Sequence, residues 1–234
     1  MSGDAVVLSS GDTRLTVRDA ALLSNPCAWL NDALVSWWFA ELSAAAEAAQ
    51  CPSLALLDAS VCHFLAFCSR NDVAAVAAPL SLATRELVLC IVSDSAATSE
   101  AAAADGTHWT LLVSRKAGGG QFELWDSLQG GARSAAVAAR VAASLAHAWR
   151  ETESIAQSGA VAVQPVRLPC QTNGHDCGLH ALLAAELICD AVCRGLDASA
   201  AALADQITPG GAAALRPRMH ARLAQLAPAA QTGE

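Results

Sequence analysis

The chain has no tyrosine, and Asp, Glu, Lys and Arg together make up only 15% of its 234 residues. Positive charge is scarce: 14 Lys and Arg stand against 22 Asp and Glu, for a formal net charge of -8. A protein that grips a phosphate backbone needs a basic face, so nucleic acid is not the expected partner. No apolar run approaches the roughly 18 residues that mark a membrane-crossing helix, so no membrane partner is expected either. The opening MSGDAVVLSSGD has neither the basic segment nor the long apolar stretch of a secretory signal, and none is expected. None of the nine cysteines are spaced CxxC, the pattern of zinc ribbons and redox sites. Reduced thiols in the cytoplasm or nucleus follow as the default, most of them serving as small buried apolar residues.

What is abundant is alanine, in a chain that is 54% hydrophobic. This length can bury a substantial core, and no repeat or long linker divides it. AVVLSSGDTRLTV reads as a hairpin about a Ser-Gly-Asp turn. A helix is predicted from near Asn31 or Asp32, where Leu30, Leu34, Trp37, Trp38 and Leu42 recur at helical spacing. LALLDASVCHFLAFC is a second helix candidate, and ELVLCIVSD (86–94) a buried strand. Residues 95–106, SAATSEAAAADG, read as a loop. THWTLLVSR and QFELWDSL read as two strands joined by KAGGG, followed by a helix over 132–150 and a strand AVAVQPV over 160–166. A helix from Cys177 to about Cys193 ends at Arg194-Gly195, and two more Ala/Leu-rich helices are separated at Pro209-Gly210-Gly211. One α+β domain over 1–234 is the simplest account, with its core over about 5–225 and a short flexible C-terminal tail.

Three polar features carry chemistry. If KAGGG is the turn, antiparallel pairing sets His108 opposite roughly residue 128, and Asp126 lies two residues from that point. A carboxylate beside an imidazole fixes its tautomer and stabilises its charged form; the alternative is a surface histidine and a turn aspartate that never meet. Cys177, in QTNGHDCGLHALLAAELICD (171–190), opens a helix, where unpaired amides and the helix dipole favour a thiolate. Gly178 would admit a substrate chain. The Cys177 amide and Gln171 could hold an oxyanion. The bland alternative is a buried cysteine behind an N-capping Asp176. Cys170, His175, Cys177 and His180 have metal-ligand chemistry, but their spacing matches no common zinc pattern, and no metal or cofactor is expected.

WLND (29–32), HWTLLV (108–113), WDS (125–127) and QTNGHDCG (171–178) resemble, in order, the signatures of the Ulp/sentrin-specific cysteine proteases. The resemblance spans about residues 5–225. It implies the Ulp-type fold, a papain-like core in permuted order with a mixed central sheet flanked by helices. DGTHWTLLV and the compact length look most like the deneddylase branch, which cleaves the neddylation modifier, with SUMO the next candidate. Carried across, Cys177 would be the nucleophile, His108 the base, Asp126 its orienting acid and Gln171 an oxyanion-hole residue. Trp29 and Trp109 would wall a tunnel that admits a Gly-Gly tail, a role that plain core packing does not exclude; Asp32 would contact the tail or simply cap its helix. His175 replaces the family's usual aromatic, so His175 and His180 both stand close to Cys177 as rival bases. Any family role for tyrosine is filled otherwise or absent. A modifier-binding domain without cleavage and an acyltransferase are the readings from other classes. The resemblance implies a monomer acting on a ubiquitin-like modifier and its protein conjugates.

Overall fold

The computed structural model describes residues 3–10, 13–95, 106–117, 120–153 and 161–227. The interior of the expected loop over 95–106, part of the KAGGG turn and the C-terminal tail lie outside them. Strands β1 (Val6–Ser10) and β2 (Thr13–Thr16) pair antiparallel, as the early hairpin predicts. A five-stranded mixed sheet holds β3 (Leu54–Leu57), β4 (Leu87–Ser93), β5 (Trp109–Arg115), β6 (Gln121–Trp125) and β7 (Val163–Val166), in that spatial order. The two outer pairs are parallel and the two inner pairs antiparallel.

The continuous apolar run of β4 is explained by burial on both faces. Leu87, Leu89 and Ile91 enter one core with Leu111, Val113 and Trp125, against α2 (Asp32–Ala48), α6 (Cys177–Cys193) and α8 (Pro209–Leu226). Val88, Cys90 and Val92 enter the other with Leu112, Phe122 and Leu124, against α3 (Ala59–Phe67), α4 (Arg70–Ala77) and α5 (Ala132–Glu153). The period of two along a strand divides the residues between the layers.

Several elements differ from the sequence expectation. LALLDASVCHFLAFC is not one helix: Leu54–Leu57 pair in parallel with β4, and Asp58 caps α3 by accepting a bond from the Val61 amide at 2.9 Å. Helix α1 (Val17–Ser24), unmarked by periodicity, starts from a Thr16–Asp19 capping box. Helix α4 was likewise not foreseen. After the short α7 (Ala200–Leu203), Pro209 does not break a helix; it takes the first turn of α8 behind the cap Thr208, whose hydroxyl accepts from the Gly211 amide at 3.1 Å. Helix α6 stops where Gly195 adopts φ 65°.

The start of α2 is a polar knot. Asn31 is the cap, its Oδ1 accepting from the Leu34 amide at 3.1 Å while its Nδ2 donates to Asp19 Oδ1 at 2.7 Å. Asp19 is buried and also accepts from the Thr16 amide and hydroxyl, each at 2.7 Å. Burial works against its charge, but the bonds from Thr16 and Asn31 win and hold its pKa below the usual value. Asn31→Ala removes the cap and leaves a buried carboxylate short of one donor. It is expected to cost about 1–2 kcal/mol, read as a lowered urea midpoint with an unchanged slope.

Candidate active site

The site forms where β5 begins and β6 ends. Antiparallel pairing runs from Arg115–Gln121 to Leu111–Trp125; carried onward it sets Asp126 opposite Thr110, one diagonal step from His108. The two side chains meet there, His108 Nε2 lying 2.7 Å from Asp126 Oδ1. Asp126 also accepts from the amides of Leu128 at 2.8 Å and Gly130 at 3.4 Å, which fix the carboxylate. His108 is anchored from behind by buried Asp94, which accepts from the His108 amide at 3.0 Å and from the Thr107 amide and hydroxyl at 2.6 and 3.0 Å.

The Cys177 thiol comes from the other layer, on the first turn of α6, and acts on the His108 side chain, helping to raise its pKa. Since Asp126 holds Nε2, the ring nitrogen left for the thiol is Nδ1. Burial disfavours charge on His108, but the bond to Asp126 and the influence of the Cys177 thiol outweigh it and raise its pKa to about 9. Burial likewise works against the Asp126 carboxylate, and the bond from His108 lowers its pKa nonetheless.

Gln171 lies buried on the loop before α6. Its Oε1 accepts from Ser127 Oγ at 2.7 Å, and its Nε2 donates to the Asn173 carbonyl at 2.6 Å, leaving the second amide hydrogen for another acceptor. Its backbone amide donates to the Ser127 carbonyl at 3.0 Å, tying the loop to the end of β6. Asp176 occupies the cap position of α6 but makes no side-chain cap bond; its carboxylate turns to Asn173 and Arg216 instead.

The other expected residues sort by contact. Trp109 donates its indole N–H to the Leu30 carbonyl at 3.0 Å, which fixes the ring. Trp29 is 50% exposed, so the core-packing alternative does not hold for it. Asp32 is exposed at the first residue of α2, and the cap is its neighbour Asn31. Gly178 makes no room for a substrate chain: a β-carbon there would sit 3.3 Å from both Leu30 Cβ and Trp109 Cδ1, so it is protein that fills the space. His175 turns toward Asp176, 3.9 Å from its carboxylate. His180 is buried, with Nδ1 unpartnered among the described residues, and burial lowers its pKa. No group of three or more His, Cys, Asp or Glu among the described residues is placed to hold a metal ion.

Comparison with known proteins identifies the family and the fold. Residues 103–202 match the model of the Ulp1 protease family, C-terminal catalytic domain. The chain is 30% identical over 190 residues to human Sentrin-specific protease 8, covering 80% of this chain and 82% of that protein. The chain belongs to the Ulp1 protease family. As a Ulp-family protein it is a cysteine-type peptidase of the class directed at ubiquitin-like modifiers. It is also 27% identical over 190 residues to Arabidopsis thaliana NEDD8-specific protease 1, covering 81% of this chain and 77% of that protein. In fold it is similar to the C-terminal Ulp1 protease domain solved in complex with Smt3, the yeast ortholog of SUMO. That match has a TM-score of 0.65 at 15% identity and covers 95% of this chain and 88% of that one. The mixed sheet flanked by helices is thus the Ulp protease fold. The supporting residues Asp94, Ser127, Asn173 and Arg216 carry no motif of their own; Asp94 and Ser127 end the stretches ELVLCIVSD and WDS, where the need of buried His108 and Gln171 for partners is the only sequence signal for them.

Proposed function

We propose that the protein is a thiol peptidase and isopeptidase that cleaves after the C-terminal Gly-Gly of the neddylation modifier, both in its precursor and in its protein conjugates. The observation that carries the chemistry is the His108 ring, bonded to Asp126 and raised in pKa by that bond and by the Cys177 thiol. The Cys177 proton already resides on His108 Nδ1, where the raised pKa of the ring holds it, and Sγ then attacks the carbonyl carbon of the terminal glycine. The negative charge that develops on the carbonyl oxygen is met by the Cys177 amide, one of the helix's first amides with no intrahelical partner, and by the free hydrogen of Gln171 Nε2. His108 protonates the departing amine as the C–N bond breaks, leaving a thioester with the modifier. Water then attacks the thioester, giving its proton to His108, and the thiol is restored.

Trp29 and Trp109 wall the channel for the tail, where flat rigid indoles suit two residues without side chains. Asp32, exposed three residues after Trp29 in the chain and not engaged as the cap, is available to the tail. The choice of modifier rests on the likeness to NEDD8-specific protease 1 and on the resemblance of DGTHWTLLV to the deneddylase branch. We place the enzyme, as a monomer, in the cytoplasm or nucleus, where nine free cysteines stay reduced.

The test uses three electrophilic probes, each a modifier carrying a C-terminal warhead: the neddylation modifier, SUMO and ubiquitin. Covalent capture of the first alone is the expected result. Capture of SUMO instead would overturn the choice of modifier, and capture of none would overturn the activity.

A further inference from the structure

We infer that Arg216, on the C-terminal helix, is a positioning residue for the nucleophile and its oxyanion donor. The inference rests on the roles proposed above for Cys177 and Gln171. Arg216 is 5% exposed, and its guanidinium donates to the Leu22 carbonyl at 3.0 Å, the Ala28 carbonyl at 2.7 Å and Asp176 Oδ1 at 3.4 Å. A buried charge is tolerated only when paired and hydrogen-bonded, and the planar fork of arginine can reach three acceptors at once.

The bonds continue from there into the site. The other Asp176 oxygen accepts from Asn173 Nδ2 at 2.8 Å, and Asn173 Oδ1 accepts from the amides of His175 and Asp176, each at 3.0 Å. The Asn173 carbonyl accepts from Gln171 Nε2, and Gln171 Oε1 from Ser127. An unbroken chain of hydrogen bonds therefore runs from α8 through the residue that precedes Cys177 to the amide that would meet the oxyanion. It accounts for an aspartate at a cap position that does not cap: the carboxylate is spent on Arg216 and Asn173. It also neutralises a buried negative charge one residue from the thiol, where an unpaired carboxylate would oppose the charge that develops on the substrate oxygen.

A purely structural role would confine Arg216 to joining α8 to residues 22–28, and the two roles separate in kinetics. The bond to Ala28 adjoins Trp29 and bears on KM; the bond to Asp176 bears on kcat. Arg216→Met, Arg216→Lys, Asp176→Asn and the Met/Asn double variant would be compared on a fluorogenic aminocoumarin amide of the neddylation modifier. Asp176→Asn keeps both carbonyl bonds of Arg216, so it reports on the site if Arg216→Met fails to fold. Its kcat is expected to fall roughly 10- to 100-fold with KM changed less than about twofold. Arg216→Met should match or exceed that loss, Arg216→Lys should recover part of it, and the double variant should be no slower in kcat than Arg216→Met alone. Wild-type kcat in Asp176→Asn would overturn the inference, as would losses that multiply in the double variant. Cleavage retained by Cys177→Ala would overturn the proposed mechanism itself; an inactive Cys177→Ala beside an unimpaired Asp176→Asn would remove only the role of Arg216.

Discussion

Cys177→Ala is expected to lower kcat for the modifier-aminocoumarin substrate by about 10⁴-fold or more while leaving affinity for the modifier within about twofold of wild type. The size follows from covalent catalysis: without Sγ there is no thioester, and residual rate could come only from oxyanion donors acting on water attack. Binding persists because the tail contacts assigned to Trp29, Trp109 and Asp32 do not involve sulfur, and binding that is equal in ground and transition states does not depend on the nucleophile. Three other thiols do not compete. Burial lifts Cys189 to about 12 and Cys193 to about 11, and pushes Cys62 well above the usual range, so at neutral pH these three stay protonated. Single-turnover cleavage and a direct binding titration on the same variant give the two numbers. Retained cleavage would reject Cys177 as the nucleophile. Lost binding with intact folding would show that the thiol region also shapes the tail channel.

The parts of this site that were legible in the sequence are those set by local chemistry and by counting. A triple-glycine turn centred near residue 118 fixes which residues of β5 and β6 face each other, and the observed register carries His108 to the same partner that counting from the turn gives. The helix from Cys177 to Cys193 could be read from its apolar content and its glycine stop. Two kinds of feature could not. Where two short elements are both apolar, periodicity does not divide them, so Leu54–Leu57 and Ala59–Phe67 read as one helix until pairing with β4 and the Asp58 cap separate them. Polar contacts between residues far apart in the chain leave no local trace: Arg216 bonds carbonyls 188 and 194 residues away. Gly178 illustrates a subtler miss, since a glycine beside a thiol suggests space for substrate, whereas the tertiary fold fills that space with Leu30 and Trp109.

Asp126→Asn separates the orienting role of the carboxylate from its charge, because the amide oxygen can keep the bonds that Oδ1 makes to His108 and the Leu128 amide. It is expected to lower kcat roughly 10²- to 10⁴-fold and to change the pH dependence in a specific direction. Burial disfavours the charged form of His108, and the bond to Asp126 together with the Cys177 thiol overcomes that to set its pKa at about 9. The imidazolium that must protonate the leaving amine therefore persists in wild type until the pH rises through about 9. With the carboxylate charge gone, the alkaline limb of kcat/KM should move down toward the ordinary histidine value of about 6.5. Stability should move with it. His108 has a folded pKa above its unfolded value of 6.5, so its contribution is fully present below 6.5 and lost as pH rises through about 9. Asp126 has a folded pKa below its usual 3.8, so its contribution is present above that value and lost as pH falls through the folded one. Both slopes should flatten in Asp126→Asn, read as urea midpoints across the pH range. An alkaline limb left at about 9, or a kcat within about threefold of wild type, would show that Asp126 does not govern the protonation of His108.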